Sequence, residues 1–294
     1  MEPQKSLILP TVTIIFPNYN GGREPLECLA SIKKLNYPKD KIETIVIDNN
    51  SHDGSDREIK KRFPDVRLIK NKQNIGFAPA VNMGIQKAKG DYIFTTNDDI
   101  VLEKNSLKTL VEFSFKNPKA GVLGGKIFYK SDPKKICSQG YMMNKFTGDV
   151  YVAGGTPYPD WVQGCALLIP KSVIDKIGPL DPDYKLSFDD YDICQRARRA
   201  GFEVVYVPKA IFHHGESVTV DRDKPHKYYH WYRSKFRFLI KNMPLYTVIS
   251  IILFQVLIAT PYHLIQRDGR FIPFINGLMW NIKHLSQTLK LRSL

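Results

Sequence analysis

Two acidic clusters are the parts of this chain best suited to chemistry. The first is Asn97-Asp98-Asp99, which follows the apolar run Tyr92-Ile93-Phe94 and precedes a second apolar run. Asn and Asp favour turns, because their side chains bond to nearby backbone. Adjacent carboxylates at a strand end also suit a hard cation. Mg²⁺ or Mn²⁺ needs only one or two protein carboxylates when a substrate supplies phosphate oxygens. The second cluster lies in LSFDDYDICQRARRAG, residues 186–201, where Asp189, Asp190 and Asp192 crowd the start of a helix that Gly201 ends. Asp at a helix N-terminus satisfies free N–H groups and suits the dipole, which accounts for one or two of the three. Neighbouring like charges raise one another's pKa, and a general base can use that. Arg196, Arg198 and Arg199 follow, to balance the acidic turn or to contact phosphate. His213-His214 come after the strand-like EVVYVP (203–208) and the apolar AIF. A lone His is more often a satisfied core residue, but one beyond a strand end is a candidate metal ligand.

These residues need elements to hold them. Thr11–Phe16 reads as a first strand. Leu26, Leu29, Ile32 and Leu35 fall at helical spacing within 25–35. Glu43–Asp48 is a second strand, and a short polar helix runs from Asp53-Gly54-Ser55 to near Phe63-Pro64. Val66–Lys70 is a third strand, 77–89 a helix closed by Gly90, and Tyr92–Thr96 a fourth strand. Strands separated by helices predict an α/β fold with a doubly wound, mainly parallel sheet, whose ligands sit beyond the carboxyl ends of the strands. The polar clusters gather there: Pro17-Asn18-Tyr19-Asn20-Gly21-Gly22, Asp48-Asn49-Asn50-Ser51 and Asn97-Asp98-Asp99. Tyr19 is either a loop tyrosine or a platform for a flat base. Further on, GVLGGKIFY (121–129) and DWVQGCALLIP (160–170) read as strands, with turn signals between them. Trp161 belongs to the core or stacks on an acceptor. Gln163 stands beside Gly164, where a backbone can approach a ligand.

The chain has 294 residues, 43% hydrophobic and 24% charged, enough for a large core and unlike a disordered chain. Its net charge of +14 calls for an anionic partner: phosphate-bearing substrate, nucleic acid or anionic membrane. Cys28, Cys137, Cys165 and Cys194 form no CxxC pair, which excludes zinc-finger and thioredoxin-like readings and suggests free thiols in a reducing compartment. The first turn is not GxGxxG and the chain has no GxxxxGK[ST], which excludes the dinucleotide fingerprint and the P-loop. The opening MEPQKSLILPTVTIIFP lacks the pattern of a signal peptide.

The stretches FPNYNGG, VIDNNSHDGS, NIGFAPAVNMGI, TTNDDI, WVQGCALLIP, FDDYDIC and VPKAIFHHG, in this order and spacing, resemble the family 2 glycosyltransferases of GT-A fold, and most closely their rhamnosyltransferase-like branch. The resemblance covers about 9–220. It implies inverting sugar transfer from a nucleotide diphosphate donor, with dTDP-rhamnose suggested by that branch. Pro17, Tyr19, Asp48, Asn49, Gly76, Phe77, Asn82, Asn97 and Asp98 would serve the donor. Asp99 and His213 would hold Mg²⁺ or Mn²⁺, with His214 the alternative to His213. Asn97 departs from the first position of a DXD element, and Asp189 replaces the usual Glu of the second motif. Asp190 would be the catalytic base, and Trp161, Gln163, Gly164 and Asp189 would line the sugar and acceptor pocket.

From about Arg222 the composition changes. RDKPHKYYHWYRSKFRFLIKN interleaves cations with aromatics, and Tyr228, Tyr232, Phe236 and Leu239 share one helical face. Nucleic acid and a membrane surface both attract such a helix. Residues 244–266 then contain no Asp, Glu, Lys or Arg. They are long enough to span a bilayer, yet cations flank both sides, which favours an in-plane or re-entrant arrangement. A buried helix at a dimer interface is the other reading, and the apolar tail supplies a surface for self-association. The division expected is a GT-A domain over 1–220 and a membrane-associated helical region over 221–294, on the cytoplasmic face of the cell membrane. Its acceptor would be a lipid-linked or polysaccharide glycan of the cell envelope. A nucleic-acid binder gains nothing from the acidic cleft. A non-catalytic nucleotide-sugar-binding subunit of a glycan assembly complex is the alternative.

Overall fold

The computed structural model describes residues 9–215 and 224–292. The boundary expected at 220–221, the start of the basic stretch at Arg222 and residues 1–8 of the opening segment lie outside them.

The sheet grows from the β-branched first strand. β1 (Val12–Asn18) pairs in parallel with β2 (Ile42–Asp48) and β4 (Tyr92–Thr96), and β2 pairs in parallel with β3 (Arg67–Lys70). Alternation along β1 sends Val12, Ile14 and Phe16 to one face, where Leu29 and Ile32 of α1 (Glu24–Lys33) and Ile59 of α2 (Ser55–Arg62) cover them. Ile15 points to the other face with Ile45 and Ile47, under Ala78 and Val81 of α3 (Phe77–Lys87). Fully burying such aliphatic side chains contributes about 1.5–3 kcal/mol each.

Beyond β4 the sheet becomes mixed. Its order is β3-β2-β1-β4-β10-β6-β11-β5, with β7 (Ile136–Ser138) also on β6. β5 is Ile100–Leu102, β6 Ala120–Tyr129, β10 Ala166–Pro170 and β11 Glu203–His214. β10 runs antiparallel to β4 and β6, β11 is parallel to β6, and β5 is antiparallel to β11. A small hairpin, β8 (Tyr141–Met143) and β9 (Val150–Val152), stands apart. Helices α4 (Ser106–Lys116), α5 (Lys171–Ile177) and α6 (Asp189–Arg199) complete the two layers.

Three expectations change. Gly90 does not close a helix in the left-handed region. A Cβ there would lie 2.4 Å from the Thr13 backbone nitrogen, so glycine is required by the approach of the α3–β4 connection to β1. The strand expected over 160–170 begins only at Ala166, and Trp161 makes an isolated bridge to Tyr141. The strand expected to end at 208 continues to His214, after a register shift between Val207 and Ile211.

The C-terminal helices pack on this body. α7 (Lys224–Asn242) reaches α6 through buried charges. Asp192, fully buried, accepts from Arg196 Nε at 2.8 Å and Asn242 Nδ2 at 2.8 Å, and pairs with Lys241 Nζ at 2.9 Å. Lys241 also reaches Asp181 at 2.8 Å, and Arg237 bridges Asp181 and Asp183. A buried ion network adds little net stability over apolar packing, but breaking it leaves uncompensated charge. Asp192→Ala should therefore lower unfolding free energy by about 3–5 kcal/mol in urea titrations. A loss under about 1 kcal/mol, the range of exposed pairs, would show that the network does not hold α7 in place.

Candidate active site

The parallel register brings the polar ends of β1, β2 and β4 to one edge. Asn18, opposite Asp48, donates to Asp48 Oδ1 at 2.9 Å and to the hydroxyls of Ser51 and Ser55. Asp48 is buried and also accepts from the Ser51 N–H. Asn49 donates to the Gly76 carbonyl and accepts from Asn71. Asp48 and Asn49 thus brace the edge, while Tyr19, about half exposed, stands open above it. Pro17 is half-buried in β1. Asn82 is the exception among the expected donor residues. Both ends of its amide bond the Leu180 backbone, at 2.7 and 3.0 Å, so it clamps α3 to the loop before α6.

A cleft of about 400 Å³ opens beside this edge. Of the residues expected there, Phe77, Asn97, Trp161, Gln163, Gly164, Asp189, Asp190 and His214 line it. Tyr141, Tyr184, Lys185 and Tyr191 line it too and were not expected. Lys185 brings a cation to a site otherwise rich in carboxylates. Its only sequence signal was its place four residues before Asp189. Trp161 is almost fully buried between Tyr141 and Tyr191, with ring centroids at 5.7 and 3.5 Å. Its bulk belongs to that aromatic stack, and Tyr141 and Tyr191 share the wall with it. A larger cavity, about 500 Å³, lies at the opposite ends of β1 and β2 around Thr11, Lys41 and Gly90, and none of the expected site residues line it.

Alternation in β11 separates the two histidines. His213 faces away and pairs with Glu103 at 3.1 Å, its ring stacked on Phe128. His214 turns inward, with Nε2 3.4 Å from Asp99 Oδ1. The structure therefore puts His214, rather than His213, beside Asp99. His214 is half-buried and Asp99 buried. Burial pulls the His214 pKa down, but Asp99 and Cys137 outweigh it and hold it up at about 10. Burial, then the neighbouring Asp99, pushes Asp98 up to about 7. Among the described residues no group of three or more His, Cys, Asp and Glu is assembled as a metal cage. The donor set is one carboxylate oxygen and one imidazole nitrogen, facing each other at more than charged hydrogen-bond distance. That pair fits Mg²⁺ or, with its nitrogen, better Mn²⁺, provided a diphosphate supplies the remaining oxygens.

The second acidic cluster divides by helix geometry. Asp192 points into the buried network described above. Asp190 faces the cleft, its Oδ2 accepting the Gly164 N–H and its Oδ1 the Tyr191 N–H, each at 2.9 Å. A Cβ on Gly164 would lie 3.0 Å from the Asp190 Cβ, so the approach is tight for any larger residue. Burial first, then Asp189, raises the Asp190 pKa well above the ordinary carboxylate range. Asp189 is raised as well, chiefly by burial. Neither caps the helix with its side chain; the N-cap is Phe188, at φ 72°. The arginines stay out of the cleft. Arg196 binds Asp192, Arg198 binds Asp160 and Arg199 the Asn242 carbonyl, so they balance charge and do not contact phosphate.

The mixed, mainly parallel sheet with helices on both faces is a GT-A-like fold. The mannosyltransferase PcManGT from Pyrobaculum calidifontis, solved with GDP-Man and Mn²⁺, superposes with a TM-score of 0.60 at 17% identity, over 94% of this chain and 88% of its own. S. aureus TarS (residues 1–349) gives 0.61 at 15%, over 91% and 80%. The sequence profile of Glycosyl transferase family 2 matches residues 13–175, and the chain belongs to that family. It is a glycosyltransferase. It is 25% identical over 247 residues to the N-acetylglucosaminyl-diphospho-decaprenol L-rhamnosyltransferase of Mycobacterium tuberculosis, covering 74% of this chain and 78% of that one.

A base works only when ionised, so kcat/KM should rise with pH through the raised Asp190 pKa and then level off. The acid limb should lie well above the ordinary Asp value of about 3.9. Asp190→Asn should cut kcat roughly 10²–10⁴-fold and leave nucleotide affinity unchanged. A pH–rate profile of both proteins checks this, and normal turnover by the variant would remove Asp190 from the role. His214→Ala should weaken Mn²⁺ binding in the presence of nucleoside diphosphate by roughly tenfold or more, and His213→Ala should not. Electron paramagnetic resonance of free Mn²⁺ reads the difference, and the reverse order would restore His213.

Proposed function

We propose that this enzyme transfers a sugar, with inversion, from a nucleotide diphosphate donor to a hydroxyl of a lipid-linked or polysaccharide acceptor in cell-envelope glycan synthesis. The observation that carries the reading is Asp190: a cleft-facing carboxylate with a raised pKa, fixed by two backbone N–H groups. An acceptor hydroxyl is a poor nucleophile at neutral pH. Asp190 takes its proton as the oxygen attacks the anomeric carbon, and the nucleoside diphosphate leaves from the opposite side. A divalent cation held by Asp99 and His214 would neutralise charge developing on that leaving group. Lys185 lines the same cleft and adds a fixed positive charge. Tyr19 is open for a base to stack on, and Asp48 and Asn49 keep the edge rigid beneath it.

The likeness to a rhamnosyltransferase supports dTDP-rhamnose as donor and a lipid diphosphate-linked sugar as acceptor. The division of labour goes with it: catalysis over 1–220, and attachment over 221–294 to the cytoplasmic face of the cell membrane, where such acceptors are presented. Among the described residues one helix, Leu245–Gln266, is by length and composition apolar enough to cross a bilayer. Calorimetric titration with dTDP, UDP and GDP, then with their sugars, tests the donor side. One nucleotide should bind in the presence of Mn²⁺ or Mg²⁺ and lose roughly tenfold or more of its affinity in EDTA. Equal binding with and without metal would remove the cation from the mechanism, and no binding by folded protein would remove the donor site.

A further inference from the structure

The apolar helix α8 (Leu245–Gln266) leaves the folded body and the chain comes back. Its first turns are seated: Val248, Ile251 and Gln255 are buried, and Ser250 and Gln255 reach the carbonyls of residues 145–147 beside the β8–β9 hairpin. After the turn at Arg267-Asp268-Gly269-Arg270, α9 (Phe271–Lys283) returns to α7. Pro273, Phe274, Gly277 and Asn281 are its buried stripe. A Cβ on Gly277 would stand 2.9 Å from the Arg233 backbone nitrogen, and Asn281 donates to the Arg233 carbonyl. α10 (Leu285–Lys290) follows on the same body, where Thr288 accepts from Arg237.

From Val256 to Ile272 no residue is buried, and the apolar side chains face outward: Leu257 is 67% exposed, Ile265 79% and Ile272 68%. From Val256 to Gln266 the helix reaches about 16 Å, roughly half of a 30 Å hydrocarbon core. Both limbs are fixed to one body, so this reach cannot place α9 on the far side. The turn between them carries Arg267, Arg270 and Asp268, the last bonded to His263 at 2.6 Å, and such groups are costly at the bilayer centre. They hold the turn at headgroup level.

We propose that residues 245–283 form a monotopic anchor that lies in one leaflet of an anionic bilayer, with both limbs on the protein's side. This rests on the membrane attachment proposed above and gives it a topology. Charge supports lipid over a second copy of the chain. From 244 onward the sequence has five Lys and Arg, at 267, 270, 283, 290 and 292, and one carboxylate, Asp268. Two such surfaces repel each other, whereas each Lys or Arg near an anionic surface strengthens binding about fivefold, and the factors multiply.

Flotation of the full chain with phosphatidylglycerol–phosphatidylcholine vesicles tests attachment, and thiol labelling tests topology. The protein should float with anionic vesicles and bind pure phosphatidylcholine roughly tenfold or more weakly. Leu257→Asp with Ile265→Asp should abolish flotation while circular dichroism and nucleotide binding persist. Gln266→Cys should react with an impermeant maleimide added outside and not with one trapped in the vesicle lumen. Lumenal labelling of floating protein would overturn the topology and keep the membrane attachment. Failure of folded, nucleotide-binding protein to float would overturn both. A dimer in solution that the paired Asp substitutions split, without flotation, would assign the face to a second copy instead.

Discussion

β1, β2 and β4 run in the same direction and end together, so the residues that terminate them must share one edge. Asn18 stands opposite Asp48, and Thr95 of β4 opposite Ile15, one turn before the Asn97-Asp98-Asp99 cluster. The edge is then locked by side chains that would otherwise be free to meet a ligand. Asn18 holds Asp48, and Asn49 holds the Gly76 carbonyl and Asn71. Strand polarity and these few bonds leave Tyr19 exposed above the edge and set Asp99 beside His214. If β4 were displaced by one residue, every face along it would invert, and Asp99 would leave His214.

The same two-residue logic decides the histidines. β11 is parallel to β6 and antiparallel to β5, and it holds extended geometry through His214. Neighbouring side chains on a strand point to opposite faces, so one histidine of the pair must miss the cleft. Along α6 the rotation is about 100° per residue, so Asp190 and Asp192 face roughly opposite ways. One enters the cleft, and the other meets Arg196, Lys241 and Asn242 in the interior. One acidic motif therefore places a carboxylate in the cleft and also ties in the C-terminal helices, and the two uses cannot be exchanged without turning the helix.

How far these placements can be read from the sequence follows from their range. The alternation of strands and helices, the strand-end clusters and the Asp189–Asp190 pair are local patterns, and they located the edge and the cleft. Asn82 lies on the expected helix, but its partner Leu180 is 98 residues away, and nothing near Asn82 announces that clamp. The resemblance favours His213, and a strand read as ending at 208 carries no alternation that would single out His214. The continuation past the register shift is set by pairing with β6 and β5, not by local propensity. Lys185 and Tyr141 come from loops and a small hairpin, where sequence periodicity carries no signal. Asp192 reads as one more residue of a helix-capping cluster, because two of its partners, Lys241 and Asn242, come from α7, about fifty positions on.

The buried network also gives meaning to the high positive charge. Arg233, Arg237 and Lys241 of α7 are nearly inaccessible and are absorbed by carbonyls and by Asp181, Asp183 and Asp192. Lys235, equally buried, has burial to pull its pKa down to about 8, only partly countered by Asp149, and lies over the Trp231 ring. These cations bind the protein to itself. After α7 the chain carries five further Lys and Arg against one carboxylate, on the turn and helices that carry the exposed apolar side chains. Composition alone could not separate the two sets, and a reading based on net charge would have assigned the aromatic-basic helix to the partner. Burial reverses that assignment: α7 is the internal strut, and the segment that follows it is the outward face.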